Sequence, residues 1–135
     1  MTALDEFLSI RRALALWESR ADAELGAVHG LGLSDFAALH ALADAPGNRL
    51  RRVDLARRLA LTPSGVTRLL GPLERRGIVD REQDGDDARA THAVLTKSGK
   101  ALMRDAAATA TAIAETILGA LPKADRAAFA KLGTL

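Results

Sequence analysis

Between Val53 and Gly77 the sequence spells two short helices separated by only two residues, and that spacing leaves few paths for the backbone. Val53 to Ala60 reads as the first helix, with Val53, Ala56 and either Leu59 or Leu55 facing inward. Leu61 and Thr62 break it. Thr62 is a natural N-cap, and Pro63 suits the first helical position, where the N–H that it lacks has no helical partner in any case. The second helix then runs to Arg76, and Gly77 is the residue that most easily turns left-handed at a helix end. Two short helices across a tight turn, the second opening on small polar residues, form a helix-turn-helix.

The second helix has two unlike faces. Turning by about 100° per residue, Val66, Leu69, Leu70 and Leu73 fall on one stripe, and Ser64, Arg68, Gly71 and Arg75 fall opposite it, with Thr67 at the flank. The polar face suits the major groove of DNA: Ser64 and Thr67 reach bases or phosphates, and Arg68 spans guanine O6 and N7. Arg75 and Arg76 stand in the last turn, where the helix dipole favours cations with or without a nucleic acid, so both roles stay open for them. Pro72 removes a helical hydrogen bond to the Arg68 carbonyl, and a kink is expected at Gly71-Pro72.

Charge along the chain supports a polyanionic partner. Residues 1–48 hold seven acids and three bases, residues 49–76 two acids and eight bases, and residues 77–135 eight of each, so the net charges are −4, +6 and 0. All eight bases of the central block are Arg, whose planar fork fits phosphate oxygens and guanine edges. A solvated basic helix face, the plainer explanation, would normally interleave acids.

The flanks are helical. From Leu4 to Val28 the residues Phe7, Ile10, Leu14, Trp17, Ala21 and Val28 recur at three- and four-residue steps, and Gly30 to Gly32 ends that run. Ser34 reads as the N-cap of a helix over Asp35 to Ala43, with Phe36, Leu39, Ala43 and Leu42 inward, and Ala45-Pro46-Gly47-Asn48 closes it. After Gly77 the period changes: Ile78 to Arg81 and Thr91 to Leu95 are β-prone runs on either side of Glu82 to Asp87, which suggests a hairpin, or wing. Thr96 caps a long helix over Lys97 to about Gly119, in which Met103, Ala106, Ala110, Ile113 and Ile117 keep helical steps, and Pro122 starts a short last helix with Phe129 and Leu132. With only 3% aromatic residues, the core must come from helices packed through Ala and Leu. The expected architecture is mainly α with a small β-wing, one domain over residues 1–135.

Several classes are excluded or disfavoured. The chain has no cysteine, hence no disulfide, thiolate metal site or thiol redox switch. It shows no apolar run of about 18 residues and no signal-peptide pattern, so the expected location is cytoplasmic, away from any membrane. No Ser has a recognisable His and acid partner, no paired carboxylates stand out and no Gly-rich phosphate loop follows a strand; catalytic residues, cofactors and metals are not expected.

The run Leu61-Thr-Pro-Ser-Gly-Val-Thr-Arg-Leu-Leu70, the run Leu73-Glu-Arg-Arg-Gly-Ile-Val79, and Asp87-Ala-Arg89 placed before Leu95-Thr-Lys-Ser-Gly99 resemble the MarR family of bacterial regulators. The resemblance covers nearly the whole chain. It implies a winged helix-turn-helix lobe over residues 34–96, with dimerisation helices in 1–33 and 97–135. It implies further that the helix 63–76 sits in the major groove of double-stranded DNA, that Arg89 on the wing enters the adjacent minor groove, and that Asp87 orients that region. A narrow minor groove attracts an inserted Arg on electrostatic grounds alone.

The expected function is sequence-specific transcription regulation, with repression the family's commoner mode. The terminal helices carry apolar stripes too wide for a small winged lobe to cover, so a homodimer is expected, its contact area supplied by Phe7, Ile10, Leu14, Ile113, Ile117, Phe129 and Leu132, with Ala106 and Ala110 allowing close helix approach. A twofold dimer predicts a roughly palindromic operator. Family members commonly bind small phenolic or amphipathic effectors between the dimer helices and the DNA-binding lobe. Trp17, His29, Phe36 and His40 lie in segments bordering that region, but a core or surface role is favoured for each and none is assigned to an effector. A winged helix used for protein contact, or for architectural DNA binding without sequence preference, remains the alternative.

Overall fold

The computed structural model describes residues 1–83, 85, 86 and 91–135. In chain order the elements are α1 (Ala3–His29), α2 (Leu33–Asp44), a 3-10 turn (Pro46–Asn48), β1 (Arg49–Arg51), α3 (Arg52–Leu59), α4 (Pro63–Arg75), β2 (Val79–Gln83), β3 (Thr91–Leu95), α5 (Lys97–Gly119) and α6 (Lys123–Leu132). The mainly α frame with a β-wing is as expected.

The long helix α1 starts at a capping box: Asp5 N–H donates to Thr2 Oγ1 at 3.2 Å, and Thr2 N–H donates to the Asp5 carboxylate at 2.9 Å. The backbone and hydroxyl donors of Thr2 hold the Asp5 carboxyl below its ordinary pKa. Only Ala21 and Leu25 of α1 are buried, so its N-terminal two-thirds reach out beyond the core.

Helix α2 runs through the middle, touching α1, α3, α4, α5 and two strands, and it buries Ala38, Leu39, Ala41 and Leu42. Its start corrects the expectation at Ser34. The N-cap is Gly32, and two carboxylates satisfy the first amides: Asp35 accepts from Gly32 N–H at 2.8 Å and Asp22 from Leu33 N–H at 2.7 Å. Asp22 belongs to α1, so this cap is a tertiary contact.

In α3 the inward residues are Leu55 and Ala56, while Val53 is 45% exposed, against expectation. Val53 and Leu55 lie about 200° apart around a helix, so only one of them can face the core. Helix α4 buries Val66, Leu70 and Leu73, continues through Pro72, and half-buries Leu69.

The sheet has the order β1-β3-β2, antiparallel throughout. Strand β1 was not expected: its three residues are too few to show an alternation, and pairing with Ala93 and its neighbours on β3 is what makes it a strand. Strand β2 extends past Arg81, because Glu82 and Gln83 pair with His92 and Thr91. Both face solvent, where polarity carries no penalty.

The wing's base is locked to α5 through Thr96. Its N–H donates to Ile78 O at 3.1 Å, its hydroxyl is shared between Gly77 O and Ile78 O at 2.6 and 3.0 Å, and the same hydroxyl accepts from Gly99 N–H at 3.0 Å. Gly99 is buried against Ile78 and Leu95.

Candidate nucleic-acid interface

Helix α4 presents its polar face to solvent because its opposite stripe is fixed in the core. Thr62 Oγ1 accepts from Gly65 N–H at 3.1 Å and Pro63 occupies the first turn, so the helix opens without an unsatisfied proline amide. Ser64, Thr67, Arg68 and Arg75 are all exposed. Asp87 and Arg89, the two wing residues expected to act, lie outside the described residues.

Thr67 is already engaged. Its hydroxyl donates to Pro63 O at 3.1 Å and accepts a long bond of 3.4 Å from Arg52 Nη2. With its only hydrogen committed, Thr67 keeps one lone pair and can take a further donor.

The central arginines sort into three groups. Arg49 pairs with Glu82 at 2.9 Å, Arg52 with Glu74 at 3.0 Å, Arg57 with Asp54 at 3.5 Å and Arg58 with Asp44 at 3.5 Å. Arg76 bonds the carbonyls of Gly30 and His29. Among the described residues, Arg51, Arg68 and Arg75 have no side-chain partner, and all three are exposed.

Sequence reasoning did not single out Arg51 or Arg52. Arg52 is only 14% exposed, and its bonds to Glu74 and Thr67 tie the start of α3 to α4 at two points about two turns apart. Glu74 was the available signal, one of only two acids in the basic block. The exposed pairs of Arg57 and Arg58 are worth under about 1 kcal/mol, so a phosphate can displace them readily.

A second surface lies far along the chain from this one. Leu4, Phe7, Leu8, Leu14 and Leu16 of α1 are exposed, as are Phe129 and Leu132 of α6. Between them runs a groove of about 590 Å³ lined by Ile10, Leu14, Trp17, Leu118, Leu121 and Phe129. Beside it is a cavity of about 310 Å³ among Trp17, Leu25, Leu33, Ala110, Ile113 and Ile117.

Ala106 and Ile113 do not lie on a free face as expected. Both are buried in the chain's own core, because the middle of α5 packs on α1 and α2. Of the four residues placed near an effector region, Trp17 lines both hollows. His29 bonds Thr109 Oγ1 at 2.8 Å, and Phe36 packs on the exposed His40 with ring centroids 6.0 Å apart. Among the described residues no cluster of His, Asp or Glu could hold a metal, and no helix is long and apolar enough to cross a membrane.

A helix-turn-helix with one bare basic face, backed by a three-stranded wing, defines a winged helix DNA-binding protein. Residues 29–90 match the sequence profile of the MarR family. The chain is 32% identical over 103 residues to the HTH-type transcriptional repressor Rv2887 of Mycobacterium tuberculosis, covering 76% of this chain and 73% of that one. The fold superposes on Sco3205 of Streptomyces coelicolor, a MarR family regulator solved in complex with DNA, with a TM-score of 0.87 and 26% identity over 98% of this chain and 84% of that chain. It also superposes on the structure of Rv2887 in complex with salicylic acid, with a TM-score of 0.66 and 30% identity over 91% of this chain and 89% of that one. The chain belongs to the MarR family, and it is a DNA-binding transcriptional regulator rather than an enzyme.

Proposed function

We propose that the protein binds a pseudo-palindromic operator as a homodimer, acts as a repressor, and is released by a small phenolic or amphipathic effector. The observation that carries this reading is the bare face of α4, where Ser64, Arg68 and Arg75 stand exposed and the two arginines have no partner among the described residues. Unsatisfied guanidinium forks on the outside of a helix-turn-helix fit guanine edges and phosphates. Thr67 takes part as an acceptor, from an amino group of adenine or cytosine, because its hydrogen is held by Pro63 O. Arg89 extends the contact from the wing into the minor groove, and Asp87 orients that region.

The homodimer reading is supported by the exposed leucines and phenylalanines of α1 and α6, too many to leave in water. Repression is supported by likeness to a relative named as a repressor. The effector reading is supported by that relative's complex with salicylic acid and by the apolar cavity beside Trp17. Such a ligand moves the equilibrium only by preferring one arrangement of the two lobes.

The test is selection of genomic fragments by the purified protein, followed by titration of the winners and of random DNA at two salt concentrations. Enriched palindromes, bound as a dimer about 10³-fold or more tighter than random DNA, are expected. Equal, purely salt-driven binding to every fragment would instead make it an architectural protein.

Two substitutions probe the site. Arg68→Ala should cost about 1 to 3 kcal/mol on the operator and relax discrimination at one base pair; a uniform loss on all sequences would reassign Arg68 to phosphate. Arg89→Ala should weaken operator binding with the thermal midpoint unchanged, and an unaltered affinity would remove the wing from the contact.

A further inference from the structure

Arg76 sits where the recognition helix meets the end of the long helix α1. Its Nη1 donates to Gly30 O at 2.8 Å and its Nη2 to His29 O at 3.3 Å. These carbonyls close α1, where Gly30 turns left-handed at φ 67° and the helix can no longer bond them itself. A guanidinium suits the place: its fork offers two parallel donors, and its charge meets the negative end of the helix dipole.

The same end of α1 is also held to α5, since His29 Nε2 and Thr109 Oγ1 are 2.8 Å apart. On its other side Arg76 follows directly on α4 and closes that helix, its N–H donating to Pro72 O at 3.1 Å. One side chain therefore joins the helix with the bare basic face to the helix with the bare apolar face, across 46 residues of sequence.

We propose that Arg76 is a positioning residue that straps α4 to the C-terminal end of α1 and so sets the separation of the two recognition helices in the dimer. The proposal rests on the reading of the protein as a dimeric, operator-binding regulator. If α1 joins the two copies, each recognition helix is placed by its attachment to α1. Hydrophobic packing through α2 is non-directional and tolerates small rotations. A forked, charge-assisted hydrogen bond fixes a direction. Both Nη atoms of Arg76 are turned to backbone carbonyls, which fixes the guanidinium against the end of α1 and leaves three of its five N–H donors uncommitted. Its neighbour Arg75, without a partner among the described residues, is the cation free for phosphate.

The experiment uses the full chain and the operator that the wild type selects, together with operators lengthened or shortened by one central base pair. Wild type, Arg76→Ala, Arg76→Lys and Arg75→Ala are titrated on each at several salt concentrations. Both Arg76 variants should lose about tenfold of the preference for native spacing, with the slope of log K against log salt unchanged. Arg75→Ala should do the reverse, lowering the slope by about 1 and keeping the preference. Lysine keeps the charge without the fork, so it carries the comparison even if the alanine variant folds poorly.

A lowered salt slope in Arg76→Ala with the spacing preference intact, or full rescue by lysine, would make Arg76 a phosphate contact and overturn the strap. Failure of the wild type to prefer any DNA would overturn the regulatory reading, and the strap with it.

Discussion

Gly99→Ala is expected to destabilise the protein by about 3 kcal/mol, as an overpacked core does. A Cβ at this position would overlap the Ile78 carbonyl oxygen and stand 2.7 Å from Leu95 Cδ1. The carbonyl cannot step aside cheaply, because it accepts both the N–H and the hydroxyl of Thr96, at 3.1 and 3.0 Å. In an open helix the same change would stabilise by up to about 1 kcal/mol. Gly119, in the same helix with nothing near its missing Cβ, is the control, and Gly119→Ala should be neutral or stabilising. Urea unfolding of the two variants decides the matter: equal midpoints would mean that the wing base and α5 can part without cost. The close approach also explains why the Leu95-Thr-x-x-Gly99 pattern ends in glycine.

Leu14→Glu should leave each chain folded but separate the copies, and operator affinity should fall by about 100-fold or more. Leu14 is 55% exposed in the single chain and lines the groove between α1 and the last two helices. Its loss therefore removes little of the chain's own core, and an exposed substitution of this kind shifts stability by about 0.5 kcal/mol or less. A carboxylate buried between two apolar faces without a partner is costly. Separated subunits lose the effective concentration by which one bound half-site recruits the other, which accounts for the size of the effect. Sedimentation alongside titration of the operator checks both halves. A variant that stays dimeric would take this part of α1 out of the interface, and a monomer with full operator affinity would sink the dimer reading.

Much of the frame is legible in the chain because it follows from local geometry. The three- and four-residue steps of α1 and α5 reflect the turn of the helix, and their observed ends lie close to those read from the Gly30 to Gly32 break, the Thr96 cap and Gly119. The two faces of α4 follow from the same arithmetic, and Val66, Leu70 and Leu73 are buried while Ser64, Arg68 and Arg75 are not. Ser34 misled because a suitable cap in sequence competes with Asp22, which reaches the same helix end from α1. Strand β1 is invisible for a related reason: three residues acquire strand character only when β3 lies beside them.

The charge pattern shows the same division. Composition alone marks residues 49–76 as a basic block, and the family motifs within it mark a regulator that binds DNA. Which arginines face a partner is another matter, because an ion pair is chosen by distance in space. Glu82, Glu74, Asp54 and Asp44 engage Arg49, Arg52, Arg57 and Arg58, and the end of α1 engages Arg76, leaving Arg51, Arg68 and Arg75 without partners among the described residues. Likewise the period of α5 makes Ala106 and Ile113 inward, but only packing against α1 and α2 decides that they face this chain's own core rather than a second copy. Helix positions, caps within one turn and the family motifs are written in neighbouring residues. Pairings across the fold are not, since they depend on where chain segments far apart in sequence come to rest.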